Sequence, residues 1–272
     1  MYEVDITLNG SSTNEWTYIA NIAGNGDIAI DWGDGSNPTR YTNPTAANAS
    51  HNFHRSDGDK FIVTIIGELT HCTFPPYPGA SPRKPHITRV LTPFPNSMSH
   101  RTDFSSLFWH QQHLISTPEN LFQYCRNIEN MSAAFNWCFS YKIPAKLLAR
   151  QASLQNMTGC FLAAGQYLDR IDIPEDLLEG CAAVTDFSRC WEEIDYTSSV
   201  SPAMPHPPKY IPGGLFDPCP NVETFYSCFS NSKGVRGNVP ELWESHPDAN
   251  GSVCFMGCTR ATNYADIPAA WK

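Results

Sequence analysis

Val4-Asp5-Ile6-Thr7-Leu8 alternates apolar and polar residues and then meets Asn9-Gly10, the pattern of a strand running into a turn. Trp16-Thr17-Tyr18-Ile19-Ala20 repeats the alternation, and Ile28-Ala29-Ile30-Asp31-Trp32 does so again before Gly33-Asp34-Gly35-Ser36. Phe61–Gly67 is a late, strongly β-branched strand. Short alternating strands with Gly, Asn and Asp at the breaks predict an antiparallel β-sandwich over residues 1–70. Residues 71–103 carry seven prolines, so an extended linker or cap is expected there, with Ile87-Thr88-Arg89-Val90-Leu91 as one short strand. A proline-rich docking site is the alternative reading of that stretch.

From Phe104 the pattern changes from alternation to recurrence. Leu107-Phe108, Ala134-Phe135, Cys160-Phe161, Cys190-Trp191 and Cys228-Phe229 repeat one small-aromatic pair, with Cys258-Thr259 read as the final variant. Met131, Met157, Phe187, Phe225 and Phe255 stand as apolar anchors before the pairs. Pro118, Pro144, Pro174, Pro212, Pro240 and Pro268 keep the same phase, at intervals of 26, 30, 38, 28 and 28 residues. Leu pairs such as Leu147-Leu148 and Leu177-Leu178 follow most of them. A unit of this length cannot bury its own apolar face, so about six units over 104–272 must stack into a solenoid. Each Ile-Pro predicts a short extended segment. Glu175–Gly180, with acids first and Gly last, predicts a short helical turn after it. The expected class is therefore α+β and multidomain: a sandwich, then a solenoid of short strands and short helices.

Two resemblances rest on these residues. Asp31-Trp32-Gly33-Asp34-Gly35-Ser36, with His51-Asn52-Phe53 and Gly58–Ile65, resembles the polycystic-kidney-disease (PKD) family of immunoglobulin-like domains. The order Leu121-Phe122-Gln123-Tyr124-Cys125, Asn130-Met131, Ala134-Phe135 and Cys138 resembles the BspA-like leucine-rich repeats, including their mycoplasma-lipoprotein variant. That family implies surface proteins with adhesive roles. The chain departs from it in irregular spacing and in showing no lipobox or cell-wall anchor.

Charge narrows the partners. A net charge of -9, with no basic run, argues against binding nucleic acid through its phosphates. No apolar run is long enough to cross a bilayer, so no membrane insertion is expected. Residues Met1–Asp5 lack the basic and apolar regions of a signal peptide, which implies either a leader upstream or arrival at a surface by assembly.

Candidate chemistry is sparse. Asp31 and Asp34 suit a tight turn in which Gly33 and Gly35 take positive φ, with calcium ligation as the alternative. Cys160, Cys190, Cys228 and Cys258 fall in one column, and Cys125, Cys181 and Cys219 in a second. Small buried thiols are expected, with disulfides or zinc as alternatives and the pair Cys254 and Cys258 as the place to look for them. His110 and His113 have no Glu or Cys in phase, and Glu192-Glu193 beside Asp195 lies next to an insertion. Nucleophile-elbow, Walker and zinc-protease motifs are missing, so neither catalytic residues nor a metal or other cofactor is expected.

The longest interval holds the candidate binding loop, with Tyr196, His206 and Tyr210; a loop that only covers its neighbours is the plainer reading. The expected function is non-enzymatic: a structural or adhesive component of a bacteriophage virion surface (capsid decoration, head fibre or tail). It would bind other virion proteins or a host-surface protein or glycan, and a homo-oligomer fits. A bacterial cell-surface or secreted adhesin and, more remotely, a glycan-active enzyme are the alternatives.

Overall fold

A computed structural model describes residues 2–7, 17–53, 59–74, 86–193 and 209–272. Strands β1 (Tyr2–Thr7), β2 (Thr17–Asp31), β3 (Thr39–Thr42), β4 (Ala47–His51), β5 (Lys60–Thr73) and β6 (His86–Val90) form one antiparallel sheet. Its order is β3-β2-β5-β1-β6, with β4 also on β2 beyond β3. Period-2 burial explains its sidedness. Ala20, Ile22, Ile28, Ile30 and Trp32 point inward from β2 and the residue after it, and Val63, Ile65 and Leu69 from β5. The two separate strands expected at 16–20 and 28–32 are one. Gly24-Asn25-Gly26 is absorbed as a register shift opposite Glu68 rather than ending the strand.

The proline-rich segment is less of a linker than its composition implies. Residues 75–85 lie outside the described residues, but β5 runs on to Thr73 and β6 pairs with β1. Phe74, Ile87, Val90, Phe94 and Met98 are all buried. Arg89 also forms a parallel bridge with Ser116, so β6 joins the sheet to the first repeat. One contiguous buried cluster runs from Ala20 in the sheet to Trp271. Apolar side chains spaced through the proline-rich stretch outweigh its poverty in backbone donors.

From Asp103 onward the chain is a series of coils joined by parallel bridges at Asp103, Asn130, Asn156, Asp186, Thr224 and Asn250, each residue bridging the next. Alternate backbone N–H groups donate to the following coil: Met131 to Asn156, Ala133 to Thr158, Phe135 to Cys160, and Trp137 to Leu162. This ladder aligns Phe74, Phe108, Phe135, Phe161, Trp191, Phe229 and Phe255 as one file of buried rings, with neighbouring centroids 5.1–5.7 Å apart. Phe74, at the end of β5, thus fills the place of a coil before the first, and its N–H donates to Leu107.

The ladder corrects the expected register of the last copy. Phe229 donates to Cys254, so Cys254-Phe255 is the sixth small-aromatic pair, and Cys258 belongs four residues further along with Cys138. The anchor column therefore ends at Gly251, whose missing side chain makes room for Trp271: a Cβ there would lie 2.0 Å from the indole. Residues 268–272 cover the last coil, with Val253 donating to Ala270 and Phe255 to Trp271.

The helical turn expected after Ile173-Pro174 is present as isolated turns, and short helices follow Pro240 and Pro268. Pro174 to Leu177, Asp176 to Glu179 and Leu178 to Cys181 each close a three-residue hydrogen bond and do not propagate. Among the described residues the one α-helix is α1 (Leu242–Ser245). A pair of two-residue parallel strands, β7 (Ile171–Asp172) and β8 (Lys209–Tyr210), flanks the long insertion.

Candidate functional site

Each coil opens on a side chain that hydrogen-bonds its own backbone. Oδ1 of Asp103, Asn130, Asn156, Asp186 and Asn250, and Oγ1 of Thr224, accept from the N–H two residues on. The fourth and eighth residues of every coil then take positive φ. The eighth position is held by His110, Trp137, Ala163, Glu193, Asn231 and Gly257, at φ between 55° and 83°. Gly and Asn adopt this conformation cheaply. A Trp or a His there costs roughly 1 kcal/mol or more of backbone strain. At this position Trp137 is exposed and His110 partly so, whereas Ala163 is buried.

The rings so displayed meet across three coils. His110 lies 5.1 Å from Trp109 and 4.2 Å from Trp137; Trp137 is 6.0 Å from Phe139, which is 5.0 Å from Tyr167. Trp109 and Trp137 are each 38% exposed and Tyr167 54%, among the largest apolar surfaces the protein leaves in water. The ledge is fixed from beneath, since Ser140 donates to Gln112 and Tyr167 to Phe139 through their N–H groups. Residues 104–118, 130–141 and 156–168 contain no Lys, Arg, Asp or Glu. Burial lowers the pKa of both His110 and His113, which keeps the histidines of this face neutral. Charge begins one coil later, where the Arg189 guanidinium bonds Glu192, and burial beside Glu192 raises Glu193.

Tyr196 and His206 fall outside the described residues. Tyr210 is exposed on β8, its ring 5.0 Å from the Arg170 guanidinium, which pairs with Asp172. Asp31 accepts from the N–H of Gly33 and Asp34 from that of Ser36, with Gly33 at φ 76° and Gly35 at φ 85°. A Cβ on Gly33 would lie 2.4 Å from the Ile62 carbonyl oxygen, so close strand approach also requires glycine there. Asp34 Oδ2 lies 2.8 Å from His51 Nε2, and the imidazole stacks on Trp32 at 4.7 Å. Burial opposes ionisation of Asp34, yet the bonds from His51 and Ser36 prevail and hold its pKa at about 2. Aspartates committed in this way serve as turn residues.

The ten cysteines are all buried free thiols. Their columns have a chemistry that the sequence did not reveal. Cys138 and Cys258 donate to the Phe108 and Phe229 carbonyls of the preceding coil, as the Ser232 hydroxyl does to Trp191. Cys125, Cys181 and Cys219 likewise donate to Met98, Leu148 and Cys181. Burial pushes Cys125 and Cys181 up to about 11 and Cys72 and Cys219 to about 12, far from reactive thiolates.

Two clefts accompany the coils. One, of about 450 Å³, is lined by Glu119, Arg126, Lys146, Arg150 and Glu179 over Phe122. The other, of about 650 Å³, lies where His71 and Thr73 meet Arg101 and Asp103. Among the described residues no three His, Cys, Asp or Glu side chains gather to hold a metal ion, and no helix is long and apolar enough to cross a membrane. No family model, no curated protein and no solved structure matches this chain.

Proposed function

We propose that the chain is a non-enzymatic attachment protein, its stacked coils forming a leucine-rich-like solenoid that displays an aromatic binding ledge. The single observation that carries this reading is the ledge itself. Five rings from three coils stand together, two of them from positions where backbone strain favours Gly or Asn. Exposed rings held by a rigid scaffold give contact area at little cost in conformational entropy. The sheet is read as an immunoglobulin-like module of the PKD type, supported by the Asp31–Gly35 turn, that anchors the coils through β6 and Phe74.

The surface proposed for the protein is that of a bacteriophage particle. The reading joins a β module to a repeat module, both poor in charge. Labelled-antibody electron microscopy of the native source tests it. Regular density at symmetric positions on capsid or tail is expected. Label confined to bacterial envelopes overturns the virion placement and leaves a cell-surface adhesin.

A further inference from the structure

We propose that the ledge formed by Trp109, His110, Trp137, Phe139 and Tyr167 binds an uncharged polysaccharide laid along the stack of coils. The inference rests on the attachment reading and assigns its ligand. Ring faces in water take up the C–H faces of sugars, while amides and hydroxyls take up sugar hydroxyls. Both kinds of group are at hand, since Gln112 and Ser140, joined by a backbone hydrogen bond and close in sequence to the rings, are only partly buried. Charge complementarity selects the occupant. The three stretches that carry the rings, residues 104–118, 130–141 and 156–168, hold no Lys, Arg, Asp or Glu, in a chain with 18 Lys and Arg and 27 Asp and Glu. An anionic glycan would ordinarily be met by Lys or Arg at such a site, so an uncharged one suits it better. The coils advance in steps of about 4.8 Å, the inter-strand spacing, a step comparable with the length of one pyranose unit. A polymer of sugars laid along the stack can therefore meet a ring from each of three successive coils.

The strain at Trp137 and His110 gives independent support. At the same coil position Asn231 and Gly257 satisfy the backbone without display of a ring, so the bulky side chains are not there to form the turn. They also contribute nothing to the buried file of rings, which runs through Phe108, Phe135 and Phe161. Contact with something outside the chain accounts for them.

Affinity electrophoresis tests this with the full chain, in native gels cast with a neutral glucan, a mannan or a galactan, and with an anionic polysaccharide as the contrast. Retardation by a neutral polymer is expected, with roughly tenfold weaker retardation in Trp137→Ala and Tyr167→Ala and little change in Tyr124→Ala. A blue shift of tryptophan emission on adding the same polymer is expected too, since Trp32, Trp191 and Trp271 are already buried. Unchanged thermal midpoints certify that the variants fold. Retardation that survives in both ledge variants overturns the site. Mobility unaffected by any neutral polymer, from a protein that microscopy still finds on particles or envelopes, overturns the ligand and leaves the attachment reading standing.

Discussion

The antiparallel sheet and the stacked coils solve one problem differently. Both must pair every buried backbone group. The sheet does so with long strands, and side chains then need only alternate. The coils bond their neighbours only through alternate N–H groups, so the groups in between are satisfied by turns and by side chains: Asx oxygens at the coil start, thiols and hydroxyls further round. A sheet tolerates most residues of the right polarity. A coil demands particular chemistry at fixed positions, and this is why it repeats visibly in sequence.

Removing a ring from the buried file gives the largest effect expected. Phe161→Ala should lose about 3–5 kcal/mol, because rings on both sides pin the cavity open. Calorimetry should still record a single transition, since the buried cluster is continuous from the sheet to Trp271; two separated transitions would divide the sheet from the coils. Next comes Gly251→Ala, whose Cβ would collide with the Trp271 ring and displace it, at roughly 1–3 kcal/mol in chemical denaturation. Asn156→Ala removes the side-chain acceptor that holds the Thr158 N–H and should cost about 1 kcal/mol, while Asn156→Asp should cost much less. Equal loss in both variants would show that the coil start needs the amide for another reason.

The smallest effect concerns the seam between the two regions. Burial, reinforced by the Arg101 charge and opposed by Asp103, lowers His71 from 6.5 to about 4. The folded protein therefore resists a proton that the unfolded chain accepts. The His71 contribution is fully present above pH 6.5 and is lost as pH falls from 6.5 towards 4. Thermal midpoints across that window should fall less steeply in His71→Asn than in the parent; identical slopes would place the acid sensitivity elsewhere.

Much of this was legible in the residues. Alternation located β1, the ends of β2 and most of β5, and the recurring small-aromatic pair located the coils. What escaped has physical causes. The break at Gly24–Gly26 looks like a turn, because glycine and asparagine serve bulges as readily as turns. Cys258-Thr259 was mistaken for the sixth pair because two thiol columns stand four residues apart, and only the hydrogen-bond ladder separates them. After Ile173-Pro174 the turns stay separate because each is tied to its neighbours before a second helical bond can form, whereas a short α-helix does follow Val239-Pro240. The ledge was missed although its signal is in the sequence: uncharged runs in phase, with Trp109-His110, Trp137-x-Phe139 and Tyr167 just beyond each buried pair.

The covering of the sixth coil by residues 268–272 bears on propagation. A ladder of in-register coils is a template: any chain carrying the same pattern can add to an open end, and the product presents the same end again. Here the N–H groups of Val253 and Phe255 are already taken by Ala270 and Trp271, and the slot left by Gly251 is filled by an indole from the same chain. At the other end Phe74 arrives from a sheet of different geometry. The donors of the sixth coil are thereby withheld from a coil of another molecule, which opposes growth by accretion at the sixth coil's edge.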